Sequence, residues 1–482
     1  MTSPASSSSK NSTTVRPAGG LDVVVIGAGP GGYAAAIRAS QLGLKVALVE
    51  RDNRLGGVCT LRGCIPTKAL LHTADVLEDA RHGGELGVVA SDVRLDLAAA
   101  HAFKNRVVEK NSSGVGFLMK KNGVQVVQGF GTLTAPGRVQ VKDDRGEVRV
   151  LETRNVLLAT GSAPKPLPGL PFDGERVLSS DHALELSRVP ASLAIIGAGA
   201  VGVEFASLYS RFGSRVTLIE MLPRLLPIED VDVSTELERS FRRRGIEVHT
   251  GAKLEDTRVT GNGVTLSLRT STGEVRTLEV EKLLVAAGRR PLTEGLGLEA
   301  LGVTLERGFV RVDGEMRTSA PGLYAIGDIV PTPSLAHVAT MEAIIAAESI
   351  AGLAPQPIVY DHVPSCTYSA PEVASVGLTE ARAKERGYDV RVGRFPFSAL
   401  GKARVLDHTE GFVKLVSDAR YGELLGVHLI GPHVTELLAE AGVALRLEST
   451  VEELARTMHA HPTLSEVIHE AAEAALGHPL HI

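Results

Sequence analysis

The sequence predicts an α/β fold: two parallel-sheet βαβ units, one early and one central, followed by a separate α+β region. Three observations predict it. A strand-length apolar run, Leu21–Ile26, leads into Gly27-Ala28-Gly29-Pro30-Gly31-Gly32 and then a helical pattern. The same arrangement returns at residues 193–196 followed by Gly197-Ala198-Gly199-Ala200-Val201-Gly202. After a Pro-containing stretch at 354–364, strand and helix patterns mix without that repeat.

Each element follows from its residues. A lone Gly-x-Gly-x-x-Gly segment says little, but this one leaves a strand and opens a helix. Gly27, Gly29 and Gly32 let backbone N–H groups approach a pyrophosphate at the positive end of the helix dipole. Residues 45–49 read as the next strand, and Glu50, 23 residues after Gly27, can accept hydrogen bonds from a ribose diol. A tight strand–helix turn beside a surface acid accounts for the glycines but not for the whole set. In the second copy Gly197, Gly199 and Gly202 precede strand Arg215–Ile219, and Glu220 again falls 23 residues after the first glycine. Two such Rossmann-like sites imply electrons passing between two dinucleotides. A carboxylate at Glu220 binds a 2′-hydroxyl and repels a 2′-phosphate, which favours NAD over NADP. Met221 follows it instead of a base, and Arg224 either lies close enough to matter or is a solvated surface residue.

Between the two copies, Gly56-Gly57-Val58-Cys59-Thr60-Leu61-Arg62-Gly63-Cys64-Ile65-Pro66-Thr67-Lys68 holds two of the three cysteines. The glycines suit a tight turn more than a packed strand. A helix opening at Cys64 directs free N–H groups and a positive dipole end at its sulfur, which lowers the thiol pKa. A redox-active pair is the reading this supports. A zinc knuckle wants four N/S ligands at recognisable spacings, and Cys366 stands alone. Two buried core cysteines are the remaining structural alternative.

With 482 residues the chain has room for roughly three domains and large buried cores. A net charge of −5 without a polybasic run argues against nucleic acid as a partner. No apolar stretch reaches the length of a membrane span. Three cysteines in so long a chain are not a secreted disulfide scaffold, so a disulfide here is expected to be catalytic, in the cytoplasm or another reducing compartment. Residues 1–20 are Ser/Thr-rich and lack the apolar core of a secretory signal. They read as a disordered polar tail, with a short organellar transit peptide as the alternative.

Downstream, helical and short strand patterns mix over residues 85–150, and residues 156–159 read as a strand closing on Thr160-Gly161. Prolines from Pro164 to Pro171 look like a connector, and residues 283–287 end the second unit at Gly288. Residues 323–326 and Gly327-Asp328 precede the helical pattern Ala336–Ile350. In the last region residues 412–416 and 424–430 read as strands, and 434–447, 451–458 and 464–476 as helices. There His459-Ala460-His461-Pro462-Thr463-Leu464-Ser465-Glu466 sets a candidate general base five residues before a carboxylate. Thr463-x-x-Glu466 is equally a helix capping box, and the two readings can coexist.

Taken together, GGVCTLRGCIPTK, ATGS (ending at Ser162), YAIGD (Tyr324 to Asp328) and HAHPTLSE resemble the motifs of the flavin-dependent pyridine nucleotide–disulfide oxidoreductases. The resemblance covers about residues 20–482, and within that class the chain is most similar to the dihydrolipoamide dehydrogenases. It implies FAD and NAD as cofactors, and oxidation of protein-bound dihydrolipoamide with reduction of NAD+. It implies that Cys64 is the thiolate against the flavin and Cys59 the interchange thiol that meets substrate. His461 is then the acid–base catalyst and Glu466 its orienting carboxylate. In this family that histidine serves the cysteines of the other subunit, so a homodimer is implied, as is a cis bond at His461-Pro462. Lys68 and Glu204 match the ion pair beside the flavin. Gly27, Gly29, Gly32, Glu50, Lys68, Thr160, Gly161, Asp328 and His337 fall to the FAD side; Gly197, Gly199, Gly202, Glu204, Glu220 and Gly288 fall to the NAD side. The helix starting near His337 would aim its N-terminus at the flavin.

The implied layout is an FAD-binding domain at 21–160, completed by 290–355, an NAD-binding domain at 161–289 and an interface domain at 356–482. The implied partner is a lipoyl-bearing protein of a 2-oxo acid dehydrogenase or glycine-cleavage assembly. Two other functions remain open: a docking component of such an assembly, and an NADH-dependent disulfide or quinone reductase (a diaphorase). The C-terminal end carries no cysteine pair, unlike mercuric reductases, and both active-site cysteines are present, unlike single-cysteine relatives. Thr67 stands where the family commonly has Ser, and Cys366 is expected to be a small buried hydrophobe.

Overall fold

The computed structural model describes residues 20–482, so the tail expected at 1–20 lies outside the described residues but for Gly20. The described chain divides into two compact units. One comprises residues 20–55, 114–161 and 291–357; the other comprises 56–113, 162–290 and 358–482.

In the first unit the apolar runs Leu21–Ile26 and Val46–Glu50 form neighbouring parallel strands, with Val23 opposite Val46. Gln125–Gln128 joins on the outer side of Val46–Glu50, also parallel. Strand Val148–Leu158 is longer than residues 156–159 suggest, because its two halves have different partners. Its first half pairs antiparallel with Arg138–Lys142, and its second half parallel with Leu21–Ile26 and Leu323–Ala325. Helices Pro30–Gln41 and Ala336–Ile350 pack together, and both bury small residues, Ala35 and Ala39 on the first and Ala339 and Ala343 on the second. The approach is close enough that a Cβ on Gly31 would stand 3.2 Å from the Ala339 carbonyl oxygen.

The second unit holds a five-stranded parallel sheet in the order Glu247–His249, Arg215–Ile219, Ser192–Ile196, Lys282–Val285, Val177–Leu178. Helix Ala200–Phe212 follows strand Ser192–Ile196, and against it packs the cysteine helix Cys64–His82. The C-terminal part is a five-stranded antiparallel sheet in the order Ser365–Thr367, Glu372–Gly377, Leu424–Gly431, Phe412–Asp418, Val390–Pro396. Helices Val434–Arg446 and Glu466–Leu476 cover it. The mixed α/β class expected from the sequence is the one observed, with parallel sheets at both glycine segments and the α+β part at the C-terminal end. His461-Pro462 is cis, as the family pattern implies; a second cis bond, Ala370-Pro371, had no signal in the sequence.

Candidate active site

The two glycine segments adopt the same geometry, and the geometry says what each glycine does. Gly27 has φ +103°, and a Cβ there would lie 2.3 Å from the Ala159 carbonyl oxygen; Gly197 has φ +99°, with 2.6 Å to that of Ala286. Cβ atoms on Gly32 and Gly202 would each stand 1.8 Å from the carbonyl oxygen of the first glycine of its own segment. These four positions are therefore fixed by the turn and by strand–helix packing. At Gly29 and Gly199 an added Cβ meets nothing within 4 Å. The middle glycine of each copy thus faces open space, where a pyrophosphate can approach the backbone at the head of the helix.

The two acids are also disposed alike. Glu50 Oε2 accepts from the Ala28 N–H at 2.6 Å and Oε1 from the Asp52 N–H at 2.9 Å. Glu220 Oε2 accepts from Ala198 N–H at 2.6 Å and Oε1 from Leu222 N–H at 2.8 Å. Both side chains are buried. Burial pushes the Glu50 carboxyl up, and the Asp52 and Ala28 N–H groups work against that. Each carboxylate retains lone pairs that suit a ribose diol and oppose a phosphate. Arg224 donates to the Pro227 carbonyl oxygen at 3.0 Å, which accounts for its direction without a nucleotide phosphate.

In the first unit, Thr160 Oγ1 donates to the Leu292 carbonyl oxygen at 2.7 Å, and Leu292 N–H donates to the Gly161 carbonyl oxygen at 2.9 Å. Thr160 and Gly161 thus tie the chain where it leaves the sheet to the place where it returns. In the second unit Gly288 has φ +107° and accepts from Lys165 N–H at 3.1 Å. Asp328 lies in the turn Gly327–Ile329, and His337 is the second residue of helix Ala336–Ile350. Sequence reasoning missed Glu342 of that helix. It is fully buried, and its Oε2 accepts from Gly327 N–H at 2.6 Å, which pins the Asp328 turn to the helix. The signal that could have found it is a carboxylate on the apolar face of Ala336–Ile350.

The cysteine segment is built by two consecutive helices. Gly57–Arg62 carries Cys59, and Cys64–His82 begins at Cys64, with Gly63 as the junction. Gly56 enters at φ +117°, and a Cβ there would stand 2.5 Å from Thr60 Cβ. Cys59 and Cys64 are present as thiols that hydrogen-bond each other. The hydrogen bond from Cys59 lowers the Cys64 pKa to about 7; burial opposes this, and the Lys68 ammonium assists it. Cys59 moves the other way, raised by the same hydrogen bond and by burial. The two thiols titrate together, and Cys64 is the sulfur that gives its proton up first.

Lys68, one helical turn after Cys64, donates to both oxygens of Glu204 at 2.9 and 2.8 Å, so the expected ion pair forms. Its Nζ also lies 4.6 Å from the centroid of the Tyr368 ring, and Tyr368 N–H donates to Glu204 Oε1 at 3.0 Å. Tyr368 was not singled out from the sequence. Cys366 packs against the apolar cluster of the C-terminal sheet, and burial pushes its thiol up to about 11.

Near the C-terminal end of the chain, His461 Nδ1 pairs with Glu466 Oε1 at 2.8 Å. Glu466 Oε2 accepts from Thr463 N–H at 2.8 Å, so the carboxylate also makes half of the capping box. The Thr463 hydroxyl donates to the Ala460 carbonyl oxygen instead, and the helix starts at Glu466, two residues later than expected. Burial works against the Glu466 charge, but the Thr463 N–H and His461 hold its carboxyl below the usual range. The His461 side chain is 76% exposed. Beside it His459 is held at both ring nitrogens, by Glu440 at 2.7 Å and the Thr457 carbonyl oxygen at 2.9 Å.

Two glycine segments with buried acids, a thiol pair at a helix N-terminus and a His–Glu pair define a dinucleotide-dependent disulfide oxidoreductase. Residues 21–343 match the pyridine nucleotide-disulphide oxidoreductase family, and residues 363–472 match that family's dimerisation domain. The chain belongs to this family. It is 49% identical to the dihydrolipoyl dehydrogenase of Chlorobaculum tepidum over 95% of this chain and 97% of that one. It is 45% identical to the dihydrolipoyl dehydrogenase of Bacillus subtilis, over 95% and 99%. Among solved structures it is similar to LpdA from Mycobacterium tuberculosis, with a TM-score of 0.87, 31% identity, and coverage of 94% of this chain and 99% of that one. Among the described residues no helix is long and apolar enough to cross a membrane.

Proposed function

We propose that this chain is a flavoprotein that oxidises protein-bound dihydrolipoamide to lipoamide and reduces NAD+. The observation that carries the reading is the Cys59–Cys64 pair, with Cys64 at the head of a helix and its pKa lowered to about 7. Relatives bearing the dihydrolipoyl dehydrogenase name over nearly the whole chain supply the substrate class.

The first glycine segment, Glu50, Asp328 and His337 are assigned to FAD, and the second segment with Glu220 to NAD. Residues 21–160 with 290–355, 161–289, and 356–482 are the corresponding FAD, NAD and interface domains. FAD, when bound, supplies the two-electron relay between the dithiol and the nicotinamide.

The protein's own residues do the thiol chemistry. Glu466 accepts a hydrogen bond from the Nδ1–H of His461, which leaves the Nε2 lone pair to take a proton from the first substrate thiol. That thiolate attacks Cys59 of the oxidised pair; the Cys59–Cys64 bond breaks and Cys64 leaves as thiolate. The second substrate thiol then closes on the first sulfur and the bond to Cys59 breaks; Cys59 takes the proton held by His461, His461 takes that of the second thiol, and the lipoyl ring departs oxidised. Two electrons have moved from substrate to the enzyme pair. Lys68 and the helix dipole hold the charge left on Cys64. The exposure of His461 suits a base that serves the cysteines of a second copy, so the working unit is a homodimer. A lipoyl-bearing protein is the macromolecular partner, and the cytoplasm, where other thiols stay reduced, is the assigned compartment.

The test mixes FAD-loaded protein anaerobically with dihydrolipoamide and NAD+, follows NADH at 340 nm, and repeats the run with NADP+ and with Cys59→Ala. NAD-specific turnover lost in Cys59→Ala is expected. Undiminished turnover in Cys59→Ala would reject the thiol relay.

A further inference from the structure

We propose that Tyr368 is a positioning residue for the thiol pair: its ring and its backbone N–H together hold the Lys68–Glu204 pair where the ammonium serves Cys64. The proposal rests on the reading of Cys64 as the thiolate of the pair. Lys68 carries a flexible four-carbon stem, and a carboxylate alone fixes its distance from Glu204 but not the direction of its charge. Three contacts remove that freedom. Both Glu204 oxygens accept from Nζ at 2.9 and 2.8 Å, the Tyr368 ring lies 4.6 Å away, and Tyr368 N–H holds Glu204 Oε1 at 3.0 Å. The ring sits within the range of cation–π attraction and replaces water on one side of the ammonium. Cys64 and Lys68, four apart on one helix, share a face, so an ammonium held there favours a thiolate at position 64.

Tyr368 is itself anchored to the helix that carries Glu204. It follows strand Ser365–Thr367, and Ala370 N–H donates to Ser207 Oγ of helix Ala200–Phe212 at 3.0 Å. The phenol hydroxyl is not the agent: burial pushes it up to about 12, so it stays neutral while the ring does the holding. The other titratable groups interacting with Lys68 and Cys64 are Glu204, Cys59 and Cys366, and Cys366 stays protonated at neutral pH.

The test is the pH profile of iodoacetamide capping of the reduced, full-length holoenzyme, with the capped sulfur identified by mass spectrometry. Whichever sulfur is capped, the rate follows the first ionisation of the pair, expected near pH 7. Tyr368→Phe keeps the ring and should follow the wild-type curve. Tyr368→Leu should raise the midpoint by about half a pH unit, roughly threefold slower capping at pH 6.5. Tyr368→Met serves as a second ring-free variant in case leucine disturbs folding. Lys68→Met should raise the midpoint further. If the ring-free variants follow wild type while Lys68→Met does not, the role of Tyr368 is overturned and the thiolate reading stands. A Phe variant that shifts as far as Leu overturns the ring as the agent. If Lys68→Met moves nothing, or wild type titrates like an ordinary thiol, the reading of Cys64 fails instead.

Discussion

Replacing Lys414 by methionine removes a cation from a buried network, and the carboxylates left behind set the cost. The Lys414 side chain is 1% exposed and reaches Asp230 Oδ1 at 2.9 Å, Asp232 Oδ2 at 2.7 Å and Glu380 Oε2 at 2.8 Å. Asp232 and Glu380 touch solvent and remain hydrated anions, but the Asp230 side chain is only 2% exposed. In Lys414→Met, Asp230 must stay charged without its cation or take up a proton. Protonating an aspartate of ordinary pKa at pH 7 costs about 4 kcal/mol, which is a ceiling on the loss. The retained N–H donors of Asp232 at 3.1 Å and Glu380 at 3.3 Å keep the loss below that ceiling. A destabilisation of about 3 kcal/mol is expected. In the native protein burial opposes the Asp230 charge, but Lys414 holds its carboxyl below the usual range. A lowered folded pKa means the stabilisation is present above the unfolded value and is lost as pH falls through the folded one. Without the cation the folded Asp230 pKa is instead raised, so the penalty should shrink, by up to about 1.4 kcal/mol per pH unit, as pH falls below that raised value. Urea unfolding of the holoenzyme at pH 7 and pH 5 measures both quantities, and adding Asp230→Asn should restore most of the loss. A loss under about 1 kcal/mol, or one equal at both pH values, would refute the reasoning.

Three further outcomes are expected. Glu466→Gln keeps an acceptor for His461 but removes the charge, so kcat should fall by about two orders of magnitude with the flavin spectrum unchanged. The native pairing is present above the ordinary carboxylate pKa and fades only as pH falls through the lowered Glu466 value, so an unchanged kcat at pH 8 would count against the pair. Glu220→Ala should cut the NAD-over-NADP preference in kcat/KM about tenfold, the value of one hydrogen bond to a charged group. The Glu440 hydrogen bond raises the His459 pKa, so its stabilisation is full below the unfolded value and is lost as pH rises through the folded one. Glu440→Gln should therefore lower the His459 midpoint in an NMR titration, and an unmoved midpoint would reject that contact.

What the sequence makes legible is local. Leu21–Ile26, Arg215–Ile219 and Ala336–Ile350 have the bounds their patterns predict, because each is a continuous apolar or helical run closed by a turn residue. The cysteine helix begins at Cys64 as its flanking glycines imply. Strands Glu372–Gly377 and Val390–Pro396 were not legible, since their partners, Leu424–Gly431 and Phe412–Asp418, lie far along the chain. The helix expected at 464 starts at Glu466 because that carboxylate is shared between His461 and the Thr463 N–H. Glu342 and Tyr368 escaped notice for a related reason. Each is unremarkable in its own stretch of sequence and gains its role only from a contact with a distant turn or helix.

The duplicated glycine segment shows why a motif of this kind can be read at all. In each copy the acid after the second strand does two jobs with one carboxylate. It accepts from the N–H of the residue after the first glycine, Ala28 or Ala198, and from the N–H two residues beyond itself. The first job closes the loop onto the neighbouring strand; the second stiffens the turn that follows. Both are local to the βαβ unit, so the spacing of glycine and acid is fixed by the fold before any nucleotide is considered. The lone pairs that remain are then carried to one place relative to the open middle glycine. Identical spacing in the two copies therefore reflects one folding constraint met twice. The difference between the two cofactors has to come from residues outside the motif, and Arg224, which turns to the Pro227 carbonyl oxygen, is not one that supplies it.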